Sequence, residues 1–124
     1  MNTYEYVVAR FTPNPVKDEP RNIGIIVVDS KSMKSFGKFI GDDYLTKLKK
    51  ENPDTNVNAL NKILEGYRGE QEIRSENYLD TLANQCVHSL HFKNVCVKAA
   101  VTPEKAVEGL FKEYISFQPQ QVTA

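Results

Sequence analysis

Residues 4–29 read YEYVVARF-TPNPVKDEPR-NIGIIVVD, two runs of β-type residues on either side of a connection that holds Pro13, Pro15 and Pro20. In the first run Tyr4, Tyr6, Val8 and Arg10 alternate with Glu5, Val7, Ala9 and Phe11, the period of a strand with two distinct faces. Ile23–Val28 is almost wholly apolar and β-branched, which predicts a central strand covered on both sides. Gly24 inside it marks a bulge or a close backbone approach. The prolines withhold ladder N–H donors, so pairing stops between the two runs. With Lys17, Asp18, Glu19 and Arg21 among those prolines, the connection is too long and too particular for a routine hairpin.

Working outward, Asp29-Ser30-Lys31-Ser32 has turn chemistry, and Lys34–Ile40 pairs back as a third strand with a bulge near Gly37. The period then changes. Asp42 or Asp43 caps a helix that runs through Lys50 and stops at Asn52-Pro53. Asp54 caps a second helix with Val57, Leu60, Ile63, Leu64 and Tyr67 on one face, and Gly66 and Gly69 mark its exit. Ser75 opens a third, carrying Tyr78, Leu79, Leu82, Ala83 and Cys86. Val87–Phe92 and Val95–Val101 return to strand, joined tightly at Lys93-Asn94. Thr102-Pro103-Glu104 is a strong helix start, followed by the stripe Ala106, Val107, Leu110, Phe111, Tyr114 and Ile115. Gly109 within that helix suggests close packing on the sheet. The expected fold is α+β: a mostly antiparallel sheet of four or five strands with helices packed on one face. It forms a single domain over 1–117, and 118–124 form a frayed tail.

A chain of 124 residues buries about two-thirds of its unfolded surface, enough for a core without metal or disulfide staples. Lys+Arg and Asp+Glu both number 16, for a net charge of zero. Residues 1–50 are mildly basic and 51–124 mildly acidic, an asymmetry typical of an ordinary solvated surface. Two cysteines in a chain that needs no staple fit a reducing compartment. The N-terminus lacks the basic-then-apolar pattern of a signal peptide, and no apolar run reaches the ~18–20 residues that cross a bilayer. These features predict a cytoplasmic protein without a membrane segment.

Cys86, His88, His91 and Cys96 form the one cluster with metal-ligating chemistry. On a single strand, however, Cys86 and His88 share a face that His91 does not, so a four-ligand zinc site is not expected. A Cys86–His nucleophilic pair fares no better, because that thiol sits at the C-terminal pole of a helix. Asp18-Glu19, Asp42-Asp43 and Glu70/Glu72 are carboxylate pairs without a completing shell, and no glycine pattern makes a phosphate loop. No cofactor, metal or catalytic residue is therefore assigned. Two surfaces remain. Lys34, Lys38, Lys47, Lys49 and Lys50, interleaved with Phe36, Phe39 and Tyr44, resemble a phosphate-tracking and base-stacking surface, though a pI near 6.7 argues against a nucleic-acid binder. Tyr4, Tyr6 and Arg10, with Arg21 and Asn22 at the start of the next run, combine the residue types enriched at protein interfaces. The competing reading is a strand face capped by the C-terminal helix, with Arg10 paired to a local acid such as Glu19.

Tyr4-x-Tyr6-x-x-x-Arg10-x-x-Pro13, followed by Lys17-Asp18-Glu19-Pro20-Arg21-Asn22-Ile23-Gly24-Ile25-Ile26-Val27, resembles the opening of a bacterial family known only as a domain of unknown function, number three-zero-three-seven. Ser89-Leu90-His91-Phe92, leading through Thr102-Pro103-Glu104 to Leu110-Phe111-x-x-Tyr114-Ile115, is similar to that family's closing strand and helix. Arg10, Glu19, Asn22 and Gly24 fall on the family pattern; Asp18 and Pro20 replace its usual Gly and Phe. The resemblance spans about half the chain. It implies small bacterial proteins without assigned activity, encoded near kinase-like proteins of the toxin–antitoxin type. The expectation is thus a non-enzymatic accessory module that binds a protein partner or itself through Tyr4, Tyr6, Arg10, Glu19, Arg21 and Asn22. One alternative is a nucleic-acid-associated protein using the lysines of 31–50. Another is a small enzyme with a polar cluster at Arg10, Glu19 and Asn22.

Overall fold

The two runs that open the chain become β1 (Asn2–Phe11) and β2 (Arg21–Asp29), paired antiparallel in the computed structural model, which describes residues 1–13, 20–87, 89–93 and 95–115. The connection over 14–19 and the tail over 118–124 lie outside the described residues. β2 turns at Asp29, whose carboxylate accepts from Lys31 N and Ser32 Oγ, and β3 (Lys34–Phe39) returns beside it. Two helices follow, α1 (Asp42–Glu51) and α2 (Val57–Glu65). β4 (Gly69–Glu72) then pairs with β3, and α3 (Tyr78–Ala83) leads to β5 (Cys86–Val87), β6 (Leu90–Phe92) and β7 (Cys96–Ala100). α4 (Pro103–Tyr114) closes the fold, its Thr102 hydroxyl accepting from Lys105 N at 3.1 Å as the sequence predicts.

The class is α+β and every pairing is antiparallel. The described residues hold seven strands in the order β4-β3-β2-β1-β6-β5, with β7 also on β1, more than the four or five expected. The surplus arises on one edge of β1. Its C-terminal half pairs with β6 (Ala9 opposite Phe92) and its N-terminal half with β7 (Tyr6 opposite Cys96). Three steps along β1 thus face four along the other strand. β6 and β7 lie along the same edge of β1, and Lys93 is no tight hairpin connection: its N–H donates to Val8 O at 2.9 Å along that edge.

Helical material covers both faces of the sheet, not one. Tyr6 shares a face with Val8, Ile25 and Val27 and meets Tyr114 of α4. On the opposite face, Phe39 and Phe92 pack against Tyr67, just past α2. A strand as apolar as Ile23–Val28 requires this, since a bare face would leave isoleucines in water; Ile23, Ile25, Ile26 and Val27 are fully buried. Two glycines record the closeness of the second layer. A Cβ on Gly24 would stand 2.0 Å from the Phe39 ring, and one on Gly37 would stand 1.9 Å from the Tyr67 carbonyl oxygen. β2 and β3 keep unbroken register past Gly37, so the expected bulge there is replaced by this backbone contact.

Gly109 is the converse case. It is exposed and a Cβ there would meet nothing within 4 Å, so it does not serve close packing on the sheet. Gly37→Ala should therefore destabilise the fold by about 3 kcal/mol, as an overpacked position that backbone cannot vacate. Gly109→Ala should stabilise it by up to ~1 kcal/mol through helix propensity. Urea denaturation of the two variants against the parent chain tests both signs.

Candidate functional site

The register of β1 on β2 slips between Ala9 and Arg10. Ala9 faces Gly24, but Arg10 faces Asn22, leaving Ile23 as the extra residue of a bulge. Without it Arg10 would oppose Ile23, and Asn22 would point to the other side of the sheet. The bulge re-aims Asn22 onto the α4 face. There it joins two elements: its Oδ1 accepts from Arg10 Nε at 3.1 Å and its Nδ2 donates to Tyr114 O at 3.2 Å. The Tyr114 hydroxyl lies 3.1 Å from the Tyr6 hydroxyl, with the rings tilted at 6.2 Å between centroids.

Of the six residues assigned to a contact surface, Tyr4 and Tyr6 are buried, 6% and 7% exposed. α4 caps that face, so neither ring can meet a partner. Arg10, Arg21 and Asn22 are half-buried at the rim where β1 ends and β2 begins. Arg21 forms an ion pair with Glu51 at the end of α1, and its positive charge acts on the Tyr44 hydroxyl. Glu19 lies outside the described residues, and with it any Arg10–Glu19 pair. Asn22 has both ends of its amide engaged, which makes it a structural joint rather than a reactive group.

Beside this rim lies a hollow of about 510 Å³ lined by Ile40, Gly41, Asp42, Asp43, Tyr44, Phe111 and Ile115. Its lining neighbours the joint along the backbone: Ile40 N donates to Ile23 O at 2.9 Å, next to Asn22, and Ile115 follows Tyr114. Gly41, not an aspartate, is the N-cap of α1; Asp42 and Asp43 occupy its first turn, where they offset the positive helix end and line the hollow. Sequence reasoning missed this arrangement because Phe111 and Ile115 read as core stripe and the two acids as caps. On the opposite side of the sheet, a second hollow of about 570 Å³ lies between Phe11–Pro13 and α2. One of its residues, Thr55, has a hydroxyl without a hydrogen-bond partner among the described residues, but that oxygen is closed off from solvent.

The lysines do not form one patch. Lys34 pairs with Glu70 at 2.8 Å, and Lys38 lies 5.0 Å over the Phe111 ring. Lys49 donates to the Pro53 and Thr55 carbonyls, leaving Lys47 and Lys50 on α1. Phe36 and Phe39 are 7% exposed, so neither ring can stack a base. Among the Cys/His residues, the single strand expected over Val87–Phe92 is a short hairpin that turns at Ser89, where φ is +69°. Its register sets Cys86 directly opposite His91, a juxtaposition that a continuous strand forbids. His88 lies outside the described residues, and Cys96 sits on β7 opposite Tyr6. The described residues contain no group of three or more His, Cys, Asp or Glu able to hold a metal. No helix among them is long and apolar enough to cross a membrane.

Comparison with protein-family models, curated proteins and solved structures gives no match for this chain.

Burial pushes Tyr6 well above the usual tyrosine value of 10.0, and the bond to Tyr114 adds to this. Burial also raises Tyr44, against the pull of Arg21, and Tyr78. The folded chain thus keeps a phenolic proton that the unfolded chain releases. This contribution to stability is complete below the unfolded value and is lost as pH rises from there through the folded value. Urea denaturation should show stability falling from pH ~9 to pH ~11, less steeply in Tyr6→Phe. A wild-type slope equal to that of the variant would show that Tyr6 plays no part in it.

Proposed function

We propose that the chain is an accessory module that binds a protein partner at the rim formed by Arg10, Arg21, Tyr44 and the adjoining hollow. The observation that carries this reading is the composition of that rim. Two half-buried arginines and a tyrosine are the residue types that dominate binding energy at interfaces. The tyrosine also lines the hollow, together with Ile40, Asp42, Asp43, Phe111 and Ile115. Such a site suits a segment that inserts an apolar side chain and carries a basic residue beside it. The arginines are already oriented, Arg10 by Asn22 and Arg21 by Glu51, so a partner orders little on docking.

The resemblance of the opening and closing segments to the uncharacterised bacterial family supports the same reading. A kinase-like protein of the toxin–antitoxin type is accordingly the kind of partner we propose. The buried Phe36 and Phe39 and the dispersed lysines favour it over a nucleic-acid role.

Affinity capture from the native host should return one stable protein partner. Arg21→Ala or Arg10→Ala should lose that partner, and Lys47→Ala with Lys50→Ala should keep it. Capture of nucleic acid that collapses as salt is raised, with the arginine variants unaffected, would overturn the reading in favour of a phosphate-binding role.

A further inference from the structure

The exposed large apolar side chains among the described residues are Met1, Val97 and Val101, at 91%, 60% and 64% exposure. All three belong to one corner of the sheet. β7 pairs with β1 through Asn2 opposite Ala100, Thr3 opposite Ala99 and Glu5 opposite Val97. Continuing that register by one residue sets Met1 opposite Val101, and Asn2 Nδ2 donates to Val101 O at 3.2 Å. By the two-residue period of a strand, Met1, Thr3 and Glu5 share one face with Val97, Ala99 and Val101. Every one of these six residues is exposed. They lie on the face opposite Tyr6, away from α4.

The same corner presents a strand edge whose one safeguard is Lys98. The other edges of the sheet carry the usual safeguards against pairing with another chain. β4 displays Glu70 and Glu72, and β5 is two residues long. β7 is five residues, without proline, and pairs with β1 alone among the described residues. Its one charge, Lys98, stands opposite Tyr4 and so on the α4 face.

From this geometry we infer that β7 pairs antiparallel with β7 of a second copy, giving a twofold dimer with a continuous sheet. This is independent of the partner site proposed above, which lies at the other end of β1. The charge pattern selects the copy and its register. Centring the pair on Lys98 would oppose two ammonium groups. Centring it on Ala99 sets Val97 against Val101 of the second copy and Lys98 against Ala100, so no like charges stand directly opposite and the two lysines become diagonal neighbours ~7–8 Å apart, free to splay into solvent. The two Glu5 carboxylates then stand three strand spacings apart, ~14 Å or more, beyond a Debye length at physiological salt. A net charge of zero leaves no overall repulsion between copies. One ladder and one small apolar patch bury less than the ~800 Å² per partner of a permanent complex, so association is weak and concentration-dependent.

Analytical ultracentrifugation of the full chain should show mass rising from 14.1 kDa towards twice that value between about 5 and 500 µM. Val97→Lys, and separately Ala99→Lys, should weaken association by roughly 10-fold or more, with circular dichroism unchanged because both positions are exposed. Hydrogen exchange at Cys96–Ala100 should slow as wild-type protein is concentrated. A monomer throughout that range, or a dimer that both substitutions leave intact, would overturn the inference. Partner capture through Arg10 and Arg21 can succeed or fail separately, so the two proposals are tested apart.

Discussion

β2 must be sealed from water on both faces, and the rest of the architecture answers to that requirement. Ile23, Ile25, Ile26 and Val27 are fully buried, and each such side chain contributes roughly 1.5–3 kcal/mol when removed from solvent. A strand of this kind cannot sit at an edge or under one layer. β1 and β3 satisfy its backbone, α4 closes one face, and the chain from α2 to Tyr67 closes the other. The second closure leaves no room for a Cβ at Gly37, where the Tyr67 carbonyl presses directly on the strand.

Much of this was legible because local chemistry and tertiary context agree. The alternation of Tyr4–Phe11, the unbroken apolar run of Ile23–Val28 and the Thr102-Pro103 helix start each specify one conformation with little help from elsewhere. What could not be read depends on partners distant in sequence. β4, Gly-Glu-Gln-Glu, has no strand pattern of its own and exists because the edge of β3 is free to pair with it. The run Cys86–Phe92 has strand propensity throughout, yet it folds back at Ser89 so that β6 can reach β1. Helices on one face was too economical an expectation: a run covered on both sides already implies two layers.

The candidate site shows the same division. Arg10 and Asn22 stand out as polar residues ending and beginning apolar strands, and the structure does bring them together. Their meeting depends on a one-residue bulge, which alternation alone cannot locate. Tyr4 and Tyr6 were legible as strand residues, and their burial under the C-terminal helix was the competing reading; choosing it needed the position of a helix a hundred residues later. The hollow was illegible for a related reason. Asp42, Asp43, Phe111 and Ile115 each have a sufficient local explanation, as first-turn acids or core stripe. Only the convergence of the start of α1 with the end of α4 turns them into one surface.

The two proposed surfaces mark opposite ends of one strand. Arg10 lies near the C-terminal end of β1, and Thr3 and Glu5 lie near its start. At ~3.4 Å per residue, Glu5 and Arg10 are roughly 17 Å apart along the chain, and their side chains point to opposite faces. Occupying one surface therefore does not obstruct the other. A twofold pair joined at β7 would hold its two rims at the far ends of a shared sheet, both on the α4 side. A partner that is itself dimeric could then engage both at once, and the second contact would form at the high effective concentration that tethering provides. Weak self-association would in that case be strengthened by binding and would not compete with it, because each contact pre-organises the geometry that the other requires.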